Sequence, residues 1–544
     1  MNIKKDTIEA PTMQAVSPSL SWSGHNQDLS SDTEGLKNCL LGFDSPVFAV
    51  REKANIRLSN SGELTSSNGK TSNLSGWLPP LPIGKFGDPS FCLTYGTRAS
   101  YYAGGMANAI ASEEMVIALA GQGLMGSFGS GGLSMERVLK AIKTIQAEIP
   151  DGPYLFNLLH NPFEPEMEQR TVEIYLENQV RTVEAAAYVR LTPAVVQYRA
   201  AGLSRGHSGE IYIENRIIAK ISRREIALLF LHSAPDIILE ELVKVGKISG
   251  EQAELAKHVP MADDITVEAD SGGHTDNQPL VSLLPSIIAL RDQVQKENSF
   301  SRPVRIGAGG GISTPDSALA AYMMGAAYIV TGSVNQACVE SGASEHTRRI
   351  LAQADMADVT MAPSADMFEM GARVQVLKKG SLFPMRAQKL YDLYTTHNSI
   401  EEIPASVKAE LENKVFNRTM EEIWQETREF FAKRNPEQIA KAEQNPKKKM
   451  ALIFRWYLGL SSRWSRDGVE DRKMDYQIWC GPSMGAFNEW VRGTYLEDFK
   501  NRHVADVAWQ LLKGCAYRYR VQSLRLQGVS LPQEIEAYFP EPQK

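Results

Sequence analysis

The sequence predicts an α/β protein: a (β/α)8 barrel with an inserted helical lid and a C-terminal helical extension. Between about residues 90 and 385, short apolar runs alternate with helical stretches, an order typical of βαβ units. The runs are apolar almost throughout, as expected for parallel strands buried on both faces. Two consecutive runs, one βα unit apart, end in glycine at Gly311 and Gly332.

Six runs are candidate barrel strands, and each is followed by a turn and a helix-like segment. They lie at residues 154–158, 182–186, 217–221, 265–269, 304–308 and 328–332. We expect a seventh strand to end at Ala103 and an eighth near Val195 or Val359. About residues 235–260 have the pattern of an inserted helical pair, and insertions on the catalytic side of a barrel often act as lids.

The barrel is predicted to cover residues 81–390, between two regions of different composition. Residues 1–80 are rich in Ser, Asn, Gly and Thr, which favour turns over a packed core, so we expect a polar leader there. Within it, residues 45–51 could form a strand. Residues 391–544 are rich in Glu, Lys, Arg and aromatics, and four of the eight Trp lie between 455 and 490, which predicts a packed helical extension.

Composition excludes several classes of protein. Of 544 residues, 43% are hydrophobic and 22% charged, and the net charge is −6, values typical of globular proteins and not of disordered or fibrous chains. Without a long basic block, nucleic-acid binding is not expected. Without an apolar run long enough for a signal peptide or a membrane span, we expect a cytoplasmic protein. The five cysteines show no CxxC spacing, which argues against disulfides and a zinc cage.

The most informative motif is the strand end at residues 304–316. Gly309, Gly310 and Gly311 lead into a helix with Ser313 or Thr314 as N-cap and Pro315 at its first position. Glycines let backbone N–H groups approach an anion, and the helix N-terminus adds partial positive charge, so the motif suits a phosphate. Alternatively, the glycines only permit a tight turn.

Position along the chain favours the phosphate interpretation. The next strand ends at Gly332 and Ser333, and barrels commonly bind phosphate with the loops after strands 7 and 8. A dinucleotide-binding Rossmann motif is the competitor, but it requires an acidic residue about 20 positions later. That position falls near Thr331, so we predict that these are barrel strands 7 and 8.

A second concentrated motif follows the strand that ends near Glu268. Asp270, Gly273 and His274 should lie at the carboxyl-terminal rim, where barrel enzymes carry their chemistry. An imidazole exchanges protons near neutral pH, so His274 is a candidate acid or base. The alternative is a loop histidine that is bonded only to a neighbour.

Metal and nucleophile chemistry are less well supported. The carboxylates near this rim show no HExxH or EF-hand spacing, so no metal site is predicted. The chain has no GxSxG motif, and Cys338 is better explained as a buried structural thiol.

Four motifs in order resemble the nitronate monooxygenase-like FMN barrels, and more closely their PfaD-type members. They are Ala103-Gly-Gly-Met-Ala, Glu268-Ala-Asp-Ser-Gly-Gly-His, Gly307-Ala-Gly-Gly-Gly-Ile-Ser and Thr331-Gly-Ser-Val. The resemblance runs from about residue 80 through Gly481-Pro-Ser-Met-Gly-Ala-Phe-Asn-Glu-Trp to the end. PfaD-type proteins are trans-acting enoyl reductases of polyunsaturated fatty acid and polyketide synthases.

The resemblance implies an FMN site with His274 as the active-site histidine. Asn157 and Lys220 would be polar partners of the flavin. The implied cofactor contacts are, beside the flavin ring, Gly104, Gly105 and Met106; at the phosphate, Gly310, Gly311, Gly332 and Ser333; and also Gly273 and Gly309.

The implied reaction is reduction of an enoyl thioester that is carried on acyl carrier protein. NADPH or NADH would reduce FMN, the flavin would pass hydride to the β carbon, and His274 or a water would protonate the α carbon. A nitronate monooxygenase and a non-catalytic flavoprotein subunit are the alternatives. A homodimer is an open option.

Docking of an acidic carrier protein would need basic side chains. The candidates are Lys447, Lys448 and Lys449, with Arg463, Arg466, Arg472 and Lys473 nearby in sequence. The alternative is an ordinary solvated surface.

Overall fold

The computed structural model describes residues 20–53, 55–66, 73–160, 164–298 and 300–542. The chain forms two compact units. One comprises the described residues up to Ile83 together with Ala516–Tyr538. The other comprises Gly84–Cys515 and the described residues from Phe539 onward.

The larger unit is built on a closed barrel of eight parallel strands in chain order, and strand 8 closes on strand 1 through Ile329 opposite Tyr101. Strands 1 to 8 are Tyr101–Ala103, Met125–Phe128, Tyr154–Leu159, Thr182–Ala186, Arg216–Ile221, Asp264–Glu268, Arg305–Gly309 and Ile329–Thr331. The predicted (β/α)8 fold is confirmed, as are the seven predicted strands and the assignment of the two glycine-tipped strands as 7 and 8.

The position predicted for the eighth strand is wrong. The missing strand is Met125–Phe128, whereas Val195 lies in the helix Pro193–Ala201 and Val359 begins a strand outside the barrel. Strand 2 has only four residues, Met-Gly-Ser-Phe, so it has no apolar run for a sequence pattern to detect. Its glycine is required by packing, since a Cβ at Gly126 would stand 3.0 Å from Leu119 Cδ1.

Aromatic rings and hydroxyl groups fill the barrel interior. Thr266 Oγ1 lies 2.9 Å from the hydroxyls of both Tyr102 and Tyr328. Phe91 and Tyr95, from the helix before strand 1, pack on this cluster. The interior is thus a packed core, and open space lies toward the carboxyl ends of the strands.

Helices surround the barrel in the usual alternation with strands. They are Pro89–Tyr95, Glu113–Gly121, Met135–Glu148, Pro165–Glu177, Pro193–Ala201, Arg224–Leu231, Asp236–Lys244, Gly250–Ala256, Leu280–Asn298, Pro315–Met323, Ser333–Gln336 and Glu345–Leu351. Among the described residues, no helix is both long and apolar enough to cross a bilayer.

The predicted helical pair at about 235–260 is present as Asp236–Lys244 and Gly250–Ala256, but its contacts do not support a lid. Gln252 Nε2 donates to the carbonyl of Ala201, and the second helix packs on the strand Leu203–Arg205. That strand and its partner Ile211–Ile213 precede barrel strand 5. The pair therefore lies toward the amino-terminal ends of the strands, opposite the predicted site.

A small sheet and a helical region complete the larger unit. The sheet joins Gly273–His274, Arg373–Leu377 and Val359–Pro363 in antiparallel order. The helical region is confirmed, and its buried core includes Phe368, Phe416, Phe454, Tyr457 and Leu458. Its helices are Phe383–Thr396, Ala405–Leu411, the π-helix Glu412–Phe416, Met420–Arg434, Pro436–Gln444, Pro446–Asp467, Ser483–Trp490 and Val504–Leu526, the last of which belongs to the smaller unit from Ala516 onward.

Both units also contain short 3-10 helices. They are Asn26–Asp28, Ile83–Lys85, Met356–Asp358, Phe368–Met370, Glu470–Asp475, Tyr495–Glu497, Phe499–Asn501 and Gln533–Ile535.

The smaller unit corrects the expectation of a loop-rich leader. It contains the helix Thr33–Leu41 and the strands Leu20–Ser23, Val47–Glu52, Asn55–Ser59, Glu63–Ser66 and Leu74–Leu78. The strand expected at 45–51 is confirmed, and Leu40 and Val47 are fully buried. Arg520 donates to the carbonyls of Leu40 and Ser45, so residues 516–538 supply part of the packing that composition alone could not reveal. Residues 1–19 lie outside the described residues.

Candidate active site

The predicted site residues all lie at or just beyond the carboxyl ends of barrel strands. The loop after strand 1 carries Gly104–Met106, strands 3 and 5 carry Asn157 and Lys220, and strands 6, 7 and 8 lead to His274, Gly309–Gly311 and Gly332–Ser333. Because parallel strands of a barrel end at one rim, the topology brings these segments to the same face.

The loop after strand 1 is held down on the rim by a buried carboxylate. The Gly105 N–H donates to Glu184 Oε2 at 2.8 Å, and Ser127 Oγ donates to the same oxygen at 2.7 Å. A Cβ at Gly105 would stand 2.6 Å from that oxygen. The Gly104 N–H donates to the carbonyl of Thr331. Glycine at 105 is thus required by close approach.

Glu184 is a functional candidate that the sequence analysis missed. It is fully buried in strand 4, and its backbone carbonyl accepts a hydrogen bond from Asn157 Nδ2 at 3.2 Å. The signal was present in Thr182-Val-Glu-Ala-Ala, because a carboxylate inside an otherwise apolar buried strand needs partners. One amide hydrogen of Asn157 is therefore already bonded to strand 4, the neighbouring strand of the barrel.

Lys220 provides a fixed positive charge at the rim. Its Nζ lies 3.2 Å from Glu268 Oε1, and only about a fifth of each side chain is exposed. Burial alone would lower the pKa of Lys220, but the negative charges of Glu268 and Glu184 outweigh it and hold that pKa above its usual value. The lysine is therefore charged at neutral pH.

The glycine loop after strand 7 has the shape of an anion cradle. Gly310 and Gly311 have φ of +79° and +75°, and a Cβ at Gly310 would stand 2.7 Å from the carbonyl carbon of Ala269. By contrast, nothing lies within 4 Å of the Cβ positions of Gly311 and Gly332. Thr314 caps the helix Pro315–Met323, as one of the two predicted alternatives. The cradle therefore combines a helix N-terminus with open space over two glycines.

The helical region contributes one wall of this cradle. The Gly481 N–H donates to Ser333 Oγ at 3.1 Å, and a Cβ at Gly272 would stand 2.8 Å from the Cys480 nitrogen. No local pattern in the sequence connects Gly481 with the site, although a glycine permits the close approach of its backbone to Gly272. Cys480 is buried, and burial raises the pKa of its thiol to about 12.

His274 lies in a two-residue strand that pairs with Val374 and Gln375, so the small sheet fixes its position. Its Nε2 lies 3.1 Å from Asp366 Oδ1 and 3.2 Å from Ser364 Oγ. About half of the His274 and Asp366 side chains is exposed. His274 is thus bonded to a neighbouring carboxylate.

Asp366 changes the protonation of the imidazole. Burial would lower the pKa of His274, but the hydrogen bond and negative charge of Asp366 outweigh burial, so that pKa is raised. Burial would raise the pKa of Asp366, but His274 outweighs it in turn and lowers that pKa. Among the described residues, His274 Nδ1 has no hydrogen-bond partner. The pair can therefore present a protonated imidazole with a free N–H.

The carboxylates in and around strand 6 are the candidates for a metal site, and three of them are engaged with cations, while Asp270 accepts from Asn277 and Gln375. Asp263 pairs with Arg199 and Asp264 with Arg305, while Glu268 pairs with Lys220. Cys338 is fully buried beside the helix Ser333–Gln336, and burial raises the pKa of its thiol, as expected for a structural cysteine.

The predicted basic run is not a free surface patch. Lys448 pairs with Glu369, Lys447 lies over the ring of Tyr394 and Lys449 over that of Trp424. Nearby, Arg472 pairs with Asp475 and Lys473 with Glu470. Arg463 and Arg466 instead line a separate groove.

The fold and the rim residues are those of a (β/α)8 barrel with a site at the carboxyl ends of its strands, and the chain belongs to the nitronate monooxygenase family, whose model matches residues 99–387. Within that family it is of the PfaD type, since residues 22–78 match the fatty acid synthase subunit PfaD N-terminal domain. Residues 397–476 match the inserted helical domain of [acyl-carrier-protein] S-malonyltransferase.

Similar proteins support this family assignment. A polyunsaturated fatty acid synthase subunit of Thraustochytrium sp. is 47% identical over 94% of this chain, and the chain spans 34% of that protein. The polyketide biosynthesis protein PksE of Bacillus subtilis is 47% identical over 80% of this chain and 57% of its own length. The crystal structure of the enoyl reductase domain of MlnA from Bacillus amyloliquefaciens is 40% identical, with a TM-score of 0.78 over 81% of this chain and all of that one.

Proposed function

We propose that this protein is an FMN-dependent enoyl reductase that acts in trans on 2-enoyl thioesters carried by acyl carrier protein. NADPH or NADH would be the reductant, and polyunsaturated fatty acid or polyketide synthesis the setting. One observation carries the proposal: an open glycine cradle and an imidazole paired with Asp366 lie at the same end of one barrel. The enoyl reductase neighbour supports the same reaction.

The residues at the rim fit FMN. Gly310, Gly311, Gly332 and Ser333 would hold its phosphate, because backbone N–H groups and a helix N-terminus favour an anion. The Gly104–Met106 loop, with Gly273 and Gly309, would border the flavin, and Asn157 and Lys220 would be polar partners. The chemistry supplied by bound FMN is hydride transfer from the nicotinamide to the β carbon of the enoyl thioester.

His274 would supply the proton that completes the reduction. As hydride reaches the β carbon, negative charge moves to the thioester oxygen, and a proton is then needed at the α carbon. The Nδ1–H of protonated His274 is free to donate this proton, while the Nε2–H stays hydrogen-bonded to the Asp366 carboxylate. One hydride and one proton thus saturate the double bond, and His274 regains its proton from water.

The carrier-bound form of the substrate is supported by the helical region. Residues 397–476, which match the helical domain of an acyl-carrier-protein transferase, include the helices Met420–Arg434 and Pro446–Asp467. The synthase relatives also make acyl carrier protein a natural partner. A cytoplasmic setting is part of this proposal.

The decisive test is optical. The purified protein should be yellow with an FMN spectrum, bleach anaerobically with NADPH, and regain colour when crotonyl thioester is added. His274→Ala should keep its flavin and bleach normally, but lose most of the reoxidation by the thioester. A colourless protein that FMN cannot reconstitute would overturn the proposal.

Oxidation of a nitronate by oxygen is the second candidate, and the family match over residues 99–387 favours it. The same preparation, given oxygen and a nitronate, would then consume oxygen without NADPH. A protein whose bound flavin is reduced by neither NADPH nor NADH would instead be a non-catalytic subunit of its synthase.

A further inference from the structure

A groove of about 1350 Å³ opens beside the barrel rim and contains none of the predicted flavin contacts. Its barrel side is formed by Asn108 and Ala109, from the loop after strand 1, and by residues 132–135, from the loop after strand 2. Its other side is formed by the helices Met420–Arg434 and Pro446–Asp467. Asn108 follows closely on Gly104–Met106 in the chain, so the groove borders the loop that carries three of the predicted flavin contacts.

The groove is tied to that loop by direct contacts. Arg466 Nη1 donates to the carbonyl of Asn108 at 3.3 Å, and Asn108 Nδ2 donates to Ser462 Oγ at 3.3 Å. Asn108 and Ala109 both have positive φ, near +59° and +56°, a backbone conformation that costs free energy in residues with side chains. The helical region therefore helps to set the shape of the loop that borders the flavin.

Three of the six cations that line the groove are paired with carboxylates, and four glutamates also line it, namely Glu113, Glu114, Glu426 and Glu429. Arg137 is held by both oxygens of Glu113, and Arg434 by both oxygens of Glu164. Arg466 is held in the same way by Asp467. The groove is therefore mixed in charge, and its cations differ in whether each has a carboxylate partner.

Arg463 is one of three lining cations that have no carboxylate partner within the described residues. It is half-buried in the groove, and among the described residues no carboxylate is within ion-pairing distance of its guanidinium. Burial lowers the pKa of Arg463, and the neighbouring charges of Arg466 and Arg434 lower it further. Lys140 and Arg170, which line the same groove, likewise form no ion pair within the described part of the chain. Asp467 acts on the pKa of Arg463 in the opposite direction without reaching ion-pairing distance. An unpaired, partly desolvated guanidinium beside Arg466 and Arg434 is costly without an anion to bind.

We propose that Arg463, with Lys140 and Arg170, binds the phosphate of a pantetheine-linked enoyl thioester in this groove. The inference rests on the proposed function, which makes the substrate a thioester on a phosphopantetheine arm. Guanidinium groups bind phosphate with strong, charge-assisted hydrogen bonds. The start of the helix Met135–Glu148, at Ser134 and Met135, adds partial positive charge to the same groove. The phosphate would be held at the groove while the acyl group extends toward the rim.

The test compares thioesters with and without the phosphate, using the flavin-loaded full chain. Arg463→Gln should raise KM for crotonyl-phosphopantetheine about tenfold, the loss of one charge-assisted contact. KM for crotonyl-N-acetylcysteamine and for NADPH should stay unchanged. Arg302→Gln, an exposed arginine before strand 7, is the matched control and should change neither. Comparing KM for crotonyl carrier protein with KM for crotonyl coenzyme A shows whether the site binds the phosphate of the carrier-bound arm or that of the coenzyme.

Calorimetry separates this inference from the proposed function. Pantetheine 4′-phosphate should bind more tightly than pantetheine, and Arg463→Gln should abolish the difference whether or not any thioester is reduced. If the wild type reduces no thioester but shows this difference, the proposed function fails and the phosphate site stands. Equal binding of the two probes, an equal rise in KM for both thioesters, or a rise for NADPH alone would overturn the phosphate site.

Discussion

Gly129 and Met106 approach so closely that a Cβ atom at residue 129 would stand 1.7 Å from the Met106 carbonyl oxygen. The Gly129 N–H donates to the carbonyl of Ala111, and its own carbonyl accepts from Ala109. The loops after strands 1 and 2 are thereby locked together directly beside the predicted flavin contacts.

Gly129→Ala should therefore displace the Gly104–Met106 loop. We expect the free energy of unfolding to fall by about 1–3 kcal/mol, as for other overpacked sites, and the purified protein to hold less FMN. Urea denaturation and the flavin-to-protein absorbance ratio measure the two effects. Gly121→Ala, where nothing lies within 4 Å of the new methyl group, is the control. Equal behaviour of the two variants would contradict the close approach.

Gly332→Leu tests whether the glycines form a phosphate cradle or only a tight turn. Gly332 has no positive φ and has open space at its Cβ position, so the variant should fold with stability within about 0.5 kcal/mol of the wild type. Its affinity for FMN should drop about tenfold or more, because the side chain occupies the space of the phosphate. Fluorescence titration with FMN measures this. Gly459→Leu, also unobstructed but on the helix Pro446–Asp467, should bind FMN normally; a similar affinity in both variants would favour the tight turn.

Glu184→Gln tests the buried carboxylate under the loop. Oε2 of the carboxylate accepts from the Gly105 N–H and from Ser127 Oγ, and Oε1 accepts from the Tyr102 hydroxyl, so an amide that keeps the first two bonds would turn its NH2 group toward the Tyr102 donor. An unsatisfied buried donor costs about 1–3 kcal/mol, so unfolding should occur at lower urea concentration. FMN affinity should fall with it. Glu240→Gln, an exposed glutamate, should leave both unchanged.

Asp366→Asn should change the pH dependence of turnover. Asp366 raises the pKa of His274, so without its charge the imidazole loses its proton at lower pH. The alkaline fall of kcat/KM should accordingly shift to lower pH, with activity kept best under acidic conditions. NMR titration of the His274 imidazole should show the same downward shift in pKa. Asp276→Asn, whose carboxylate accepts from Ser222 instead, should leave the profile in place; an unmoved profile in both would remove Asp366 from the proton transfer.

The barrel was predictable because its strands are buried on both faces, which leaves apolar runs in the sequence. Strand 2 was not, since Met-Gly-Ser-Phe reaches burial through small residues that let a helix approach. The glycine cradle was visible as a motif. The partners of His274 were not, because Ser364 and Asp366 lie about 90 residues further along and reach it only through pairing of the small sheet. Contacts between distant segments leave no local periodicity to detect.

The smaller unit depends on a contact between segments that are synthesised far apart in time. Arg520 donates to the carbonyl of Cys39, 481 residues earlier in the chain. At translation rates of roughly 5–20 residues per second, about 25–100 s separate the two segments on the ribosome. The helix Thr33–Leu41 and its sheet must therefore wait, incompletely packed, while the barrel emerges and folds.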